Sequence, residues 1–224
     1  MRTVGIGLIL LSCTLGNTLT RACFAGNDSM DCYAVVCKDF VRDFDATLVT
    51  NSSAAEASQR ETSDKVEMPG IFLHTSGQGD AVAAYPRVAI PPSPEISVMR
   101  TFLVFHAGMR DGIPWDTKIG TPNGVRFSVF IDGQDVFTAD RAGEGWRPCA
   151  VDMTPWAGKT VTVEFHTNAI AGNTSYDWAV FGQPLLISVA TSSQLPIPGD
   201  SPGMAIAEIA CQEPSTVVLK IGDQ

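Results

Sequence analysis

Basic residues are few and scattered in this sequence. Only 15 of its 224 residues are Lys or Arg, against 24 Asp or Glu, and the formal charge is −9. An acidic chain without a basic run repels a phosphate backbone. We therefore do not expect nucleic acid as a partner.

The spacings that mark a metal site or a hydrolase are also missing. The chain has no CxxC, HxH or HExxH pattern, and His74, His106 and His166 lie far apart. Paired carboxylates are the minimum for glycoside hydrolysis, but the acids near turns, such as Asp132 and Asp135, are typical of solvated surface. We expect neither catalysis nor a bound transition metal.

Long apolar runs are absent except at the N-terminus. Residues 1 to 25 begin with Arg2, continue through VGIGLILLSCTLG and reach small residues at ACFA, an arrangement typical of a secretory signal peptide. The run is shorter than the roughly 20 apolar residues that span a bilayer. We predict a mature chain that starts near Gly26, has no transmembrane segment and is secreted or resident in the cell envelope. The LLSC sequence ending at Cys13 leaves lipidation as an alternative.

Four of the six cysteines remain after that segment is removed. Cys32, Cys37, Cys149 and Cys211 form an even set, which in an exported chain predicts two disulfides. Three pairings are open, and we prefer Cys32 with Cys37 and Cys149 with Cys211.

The remaining residues favour strands over helices. Strand-like segments separated by Gly, Pro, Asn and Asp recur from Met68 to about residue 190. In VRFSVFI, residues 125 to 131, apolar side chains alternate with polar ones, and the Asp132-Gly133 pair that follows predicts a tight hairpin. The fold class we predict is all-β, an antiparallel β-sandwich.

The sequence around this region predicts connecting segments. Residues 26–67 are interpreted as an N-terminal lead-in and linker, because 50–68 contains few large apolar residues. The β-sandwich domain is placed at 68–190. Residues 191–224 are interpreted as a C-terminal tail with possible edge strands.

Four segments resemble a known family in their order. They are GIFLHT, GVRFSVFIDGQDVF, WRPCAVDMTPWAGKTVTVEFHTN and NTSYDWAVFGQPLL. Together they resemble the NPCBM-like jelly-roll domains, which are carbohydrate-binding modules within the galactose-binding-domain-like superfamily. The resemblance covers residues 68 to 190 and implies an exported sandwich that binds glycan or polysaccharide. The chain departs from the family's usual setting, because it carries no obvious second catalytic domain.

A sugar site needs an aromatic platform beside polar side chains, on loops of a rigid scaffold. Trp115 lies in the Gly- and Pro-rich segment RDGIPWDTKIGTPNG, where no alternating pattern predicts its burial. Trp146 and Trp178 are expected in the core. The residues predicted to form the site are Trp115, Asp111, Asp116, Arg110 and Asn123 on this loop, with Trp156 and Tyr176 elsewhere.

Three further expectations complete the hypothesis. In NTSYDWAVFGQP, Asp177 is expected to cap the turn that GNTS begins, which makes the cluster part of the fold. No cofactor is expected, although a structural calcium ion is possible at Asp39, Asp43 and Asp45. The alternative function is a structural or protein-interaction module with envelope proteins as partners.

Overall fold

Antiparallel strands make up nearly all of the regular structure. The computed structural model describes the backbone of residues 6–10, 19–24, 31–93, 99–115, 122–191, 207–213 and 216–221, and the side chains of 35–93, 100–115 and 122–189. These parts contain strands and three 3₁₀ turns but no α-helix. The strands are β1 Ile6–Leu10, β2 Leu19–Phe24, β3 Asp31–Asp39, β4 Val49–Thr50, β5 Ser52–Ser63, β6 Val66–Thr75, β7 Ala81–Ala89, β8 Met99–Met109, β9 Val125–Ile131, β10 Gln134–Arg141, β11 Arg147–Asp152, β12 Thr160–Ala169, β13 Ala179–Thr191, β14 Ala207–Glu213 and β15 Thr216–Ile221.

The larger sheet is organised around β13. Strand β8 pairs along one edge of β13, whereas the other edge is shared end to end by β6 and β3. The pairing changes at Gln183 and Pro184, where the register against β8 shifts. The structure has one continuous strand here, with an irregularity at these two residues. Strand β11 extends the sheet beyond β8, β5 beyond β6, and β2 then β1 beyond β3.

The smaller sheet has the order β10-β9-β12-β7-β4 and packs face to face with the larger one. Aromatic rings from both sheets fill the space between them. Phe181 of β13 contacts Phe165 of β12 at 4.9 Å and Phe127 of β9 at 5.1 Å between ring centroids. Both sheets therefore bury one face against the other, and the predicted antiparallel β-sandwich is confirmed.

The alternating segment that predicted β9 behaves as expected. Val125, Phe127, Val129 and Ile131 are all fully buried. The Asp132-Gly133 turn joins β9 to β10, and both residues have positive φ, at 49° and 78°. Positive φ at both central residues is the geometry of the tight hairpin turn that Asp-Gly favours.

The interpretation of 50–68 as a linker is wrong. Ser52–Ser63 forms β5, which pairs along β6 at the edge of the larger sheet. An edge strand exposes much of its surface, so small and charged residues suffice there. Residues 31–39, placed in the lead-in, form β3 in the same sheet.

The N-terminal and C-terminal segments also contain strands. Strands β1 and β2 pair next to β3, and β14 and β15 form a separate two-stranded sheet. Within the described residues, no helix is long and apolar enough to cross a lipid bilayer. The signal peptide and the lipidation alternative stay predictions.

The preferred disulfide pairing is not formed, because Cys37 and Cys149 are free. Cys32 and Cys37 lie on the same extended strand, five residues and therefore about 16 Å apart. A disulfide requires Cα atoms within about 7 Å. Cys149 is buried in the core between the sheets, whereas Cys211 belongs to the separate β14–β15 sheet.

Candidate functional site

Two loops leave the sandwich at the same end. The β8–β9 loop spans residues 110–124, and the β12–β13 loop spans 170–178. Their flanking strands are paired, so that Met109 at the end of β8 lies opposite Ala179 at the start of β13. The two loops therefore start as neighbours.

Hydrogen bonds hold the two loops together. The backbone N–H of Arg110 donates to the carbonyl of Trp178 at 2.9 Å, and the Asn123 side-chain amide donates to the carbonyl of Ile170 at 2.5 Å. Each bond joins one loop to the other, near the first and last residues of the β8–β9 loop. We call this end of the sandwich, formed in the described residues by 110–115, 122–124 and 170–178, the loop end.

Arg110 is committed to an ion-pair network. Its guanidinium donates two bonds of 2.6 Å to the Glu61 carboxylate on β5 and one of 2.6 Å to Glu56, and it lies 3.7 Å from the Phe72 ring centroid. Glu61 is buried, so the pairing neutralises a charge that water cannot reach. Arg110 thus anchors the loop to the larger sheet.

Asp111 also holds the loop in place. Its carboxylate accepts the backbone N–H of Lys65 at 3.0 Å, and its own N–H donates to the carbonyl of Thr62 at 3.0 Å. Thr62 lies near the end of β5, and Lys65 lies in the β5–β6 turn. The structure therefore places the two predicted polar residues at the start of the loop against β5.

Trp115 is half-buried and packs against the core, which differs from the exposed platform that the sequence predicted. Its indole Nε1 is buried and has no hydrogen-bond partner among the described residues. The same is true of the Asn123 Oδ1 atom at the other end of the loop. Asp116 lies outside the described residues.

The β12–β13 loop is built from tight turns. Asn173 Oδ1 accepts the N–H of Ser175 at 3.0 Å, and Tyr176 has a positive φ of 62°. The half-buried Tyr176 and Trp178 rings meet edge to face at 5.6 Å. Asn173, rather than Asp177, caps this turn, so the capping role expected for Asp177 is wrong.

Asp177 lies between Tyr176 and Trp178 in the sequence and is 1% exposed. Neither of its carboxyl oxygens has a hydrogen-bond partner among the described residues. Burial raises the pKa of Asp177 to about 7, because the charged form loses its hydration. The sequence analysis missed this group, although an acid flanked by two aromatic residues was a visible signal.

The remaining predicted aromatic residue lies elsewhere. Trp156 belongs to the 3₁₀ turn Thr154–Trp156, which precedes β12, whereas the loop end follows β12. It is therefore at the opposite end of the sandwich, packed against the core. Trp146, expected in the core, covers Gly108 and Gly182 on the other face of the larger sheet and donates its Nε1–H to the Val66 carbonyl at 2.9 Å.

The carboxylates considered for calcium each have protein partners. Asp39 accepts the backbone N–H of Val41, Asp43 pairs with Lys38, and Asp45 caps the 3₁₀ turn Ala46–Leu48. Within the described residues, no group of three or more His, Cys, Asp or Glu side chains is placed to hold a metal ion. The calcium ion stays a prediction without a described ligand set.

No protein-family model and no curated protein matches this sequence. Solved structures do match. The CBM51-2 and INT domains of ZmpB from Clostridium perfringens, in complex with GlcNAc, are 13% identical with a TM-score of 0.45; the match covers 80% of this chain and 40% of that one. A CBM51 from GH95 of the same organism, in complex with methyl-galactose, is 14% identical with a TM-score of 0.45, covering 68% of this chain and 99% of that one.

A cyclase from Fischerella sp. TAU is also similar. It is 11% identical with a TM-score of 0.36, and the match covers 73% of this chain and 78% of that one. Likenesses at these TM-scores carry no argument about function. The function of this chain has to be inferred from its own residues.

Proposed function

We propose that this chain is an exported, non-catalytic carbohydrate-binding module whose glycan site is the loop end. The observation that carries the proposal is the buried, unpartnered carboxyl of Asp177, on a loop bonded to the one that holds Trp115 Nε1 and Asn123 Oδ1. Unsatisfied buried polar atoms are destabilising, so each one in a native protein calls for an explanation, and a bound ligand is one that accounts for all three.

The chemistry of these atoms suits a sugar. A sugar hydroxyl both donates and accepts hydrogen bonds, which matches an indole donor, an amide acceptor and a carboxyl group that does both when protonated. The apolar C–H faces of a sugar pack on aromatic rings, and Tyr176 and Trp178 are half-buried at the same loop. A glycan bound at the loop end would supply the missing hydrogen bonds.

The distribution of apolar surface is less favourable to the alternative, a protein-interaction module. Such modules expose contiguous apolar patches. Among the described residues, the exposed large hydrophobic side chains are Leu48 and Val66. They lie on separate elements, so these two do not form a broad docking patch.

A glycan-array and polysaccharide pull-down screen of the full chain tests the proposal. Trp115→Phe keeps an aromatic ring, although a smaller one, and removes the indole N–H, and Tyr176→Ala removes one aromatic face. We expect each to weaken glycan binding about three- to tenfold, the size of one hydrogen bond or aromatic contact. Trp156→Phe is the matched control at the opposite end and should bind as the parent protein does.

The outcomes separate the competing hypotheses. Absence of binding to every glycan, with folding verified by circular dichroism, would reject the carbohydrate-binding function in favour of the structural module. Binding that survives both loop-end changes would place the site elsewhere. Export is tested separately by sequencing the N-terminus of protein recovered from the native cell envelope or medium, where we expect a start near Gly26.

A further inference from the structure

Two arginines without an acidic partner lie at one edge of the sandwich. Arg141 is the last residue of β10, the edge strand of the smaller sheet, and Arg147 is the first residue of β11, an edge strand of the larger sheet. Residues 142–146 join the two strands. The two arginines therefore lie at the same end of neighbouring edges.

Both side chains share a strand face with residues of the core. Arg141 shares its face of β10 with Phe137, whose ring contacts the buried Phe105 ring at 5.1 Å between centroids. Arg147 shares its face of β11 with the buried Cys149. Burial raises the Cys149 pKa to about 11, and both guanidinium groups are close enough to oppose this shift. The two positive charges thus converge on the gap between the sheets.

The Arg141 guanidinium is half-buried and only partly hydrogen-bonded. Its Nη2 atom donates to the backbone carbonyls of Gly145 at 2.9 Å and Glu144 at 3.5 Å. Its Nε atom is buried and has no hydrogen-bond partner among the described residues. Burial and the nearby charge of Arg147 lower the Arg141 pKa. The protein alone therefore disfavours this charge, and a bound anion would stabilise it.

Most arginines in the described part of the chain pair with a carboxylate. The paired ones are Arg42, Arg60, Arg100, Arg110 and Arg126. Arg141 and Arg147 form no such pair there, although Glu144 lies in the loop between them. The chain has a formal charge of −9, so it has acidic residues in excess. Two adjacent cations without a counter-charge are therefore not explained by a lack of acids.

The arginine pair adjoins the loop end. Arg141 lies opposite Val125, the residue that follows the β8–β9 loop, and Gly124 packs against the Arg141 carbonyl too closely for a side chain. In the connecting loop, Gly145 donates its N–H to Ser63 at the end of β5. An extended ligand at the loop end would therefore lie beside the arginine pair.

We propose that Arg141 and Arg147 bind a carboxylate or sulfate group, so that the ligand of this protein is an acidic glycan. This inference rests on the proposed function and narrows its substrate class. Guanidinium groups form charge-assisted, often bidentate hydrogen bonds with such oxyanions. Nucleic acid requires many phosphate contacts, which two arginines do not supply. The acidic residues elsewhere matter less, because charges more than about 8 Å apart are largely screened at physiological ionic strength.

Pull-down of the full-length protein with matched polysaccharides tests this inference. Alginate and polygalacturonate carry carboxylates, and their carboxyl-reduced forms are the neutral controls; dextran sulfate is compared with dextran. We expect an acidic form to bind at least about tenfold more tightly than its neutral form, and Arg141→Gln and Arg147→Gln each to weaken that binding about 10- to 100-fold. Preference for the carboxylates or for the sulfate identifies the group.

Arg87→Gln is the matched control for the loss of one positive charge. Arg87 is exposed and lies on β7 next to Val88, which pairs with Val161 near the start of β12 and thus at the opposite end of the sandwich. This variant should bind as the parent protein does. Arg147 is also exposed, so the fold should tolerate Arg147→Gln even if Arg141→Gln does not fold.

The outcomes distinguish this inference from the proposed function. Equal binding of acidic and neutral forms, or an acidic preference that survives Arg147→Gln, would overturn the inference and leave carbohydrate binding in place. Absence of binding to every polysaccharide would reject both as statements about glycans. In that case a sodium sulfate titration, followed on the arginine Nε–H resonances, shows whether the pair binds small anions instead.

Discussion

Replacing Asp177 by Asn should remove a pH-dependent loss of stability. The carboxyl is 1% exposed and unpartnered among the described residues, and its pKa is about 7 instead of the ordinary 3.8. Between these two values the folded protein keeps a proton that the unfolded chain has released. The free energy of unfolding therefore falls as pH rises from about 4 to about 7, and this contribution is constant above that range.

The size of the effect is set by the pKa shift. A difference of 3.2 pKa units between 3.8 and about 7, at 1.36 kcal/mol per unit, corresponds to about 4 kcal/mol. Asn has the same shape but cannot ionise. We expect Asp177→Asn to match the parent near pH 4, apart from small packing differences, and to exceed its free energy of unfolding by about 4 kcal/mol at pH 8.

Urea unfolding followed by tryptophan fluorescence at pH 4, 6 and 8 measures this difference. Asp140→Asn is the control: Arg126 lowers the Asp140 pKa below 3.8, so the stability that this carboxylate contributes changes mainly below about pH 4, and the difference between the parent and Asp140→Asn should stay nearly constant from pH 4 to pH 8. A difference between the parent and Asp177→Asn that does not change with pH would show that Asp177 ionises normally. The reasoning about its burial would then be wrong.

Two further predictions concern the anchoring of the loop end and the cysteines. Arg110→Ala leaves the buried Glu61 carboxylate without its main partner and should lower the free energy of unfolding by about 3 kcal/mol, whereas Arg126→Ala removes an exposed pair and should have a much smaller effect in the same urea assay. Equal losses would contradict this ranking. Peptide mapping after iodoacetamide treatment should find the exposed Cys37 labelled at once, and Cys149, whose pKa burial raises to about 11, labelled only in denaturant; a disulfide at either residue would refute the prediction.

Local signals explain which parts of the fold could be predicted. In β9 the apolar side chains alternate, and the Asp132-Gly133 turn needs only two residues with positive φ. Strand β5 has no such signal, because its Ser- and Ala-rich residues become a strand by pairing with β6. Continuity of β13 through Pro184 likewise depends on neighbouring strands that the local sequence does not reveal.

The candidate sites depend still more on distant contacts. The sequence predicted a site on the Trp115 loop. It could not show that Arg110 pairs with Glu61, which lies 49 residues away in the chain. The burial of Asp177 was likewise not predictable from the residues next to it in the sequence. Arg141 and Arg147 are close in the chain, yet one belongs to the smaller sheet and the other to the larger one. The spacing in the sequence does not reveal that they face the same edge of the sandwich.

The position of β13 in the chain has a consequence for synthesis. A ribosome that has translated residues 1 to 178 has made β3, β6 and β8, but not the strand that joins them. Until Thr191 has emerged, the nascent chain exposes unpaired strand edges. The larger sheet must therefore assemble late in translation or after it, and a chain cut short before β13 should aggregate or require a chaperone.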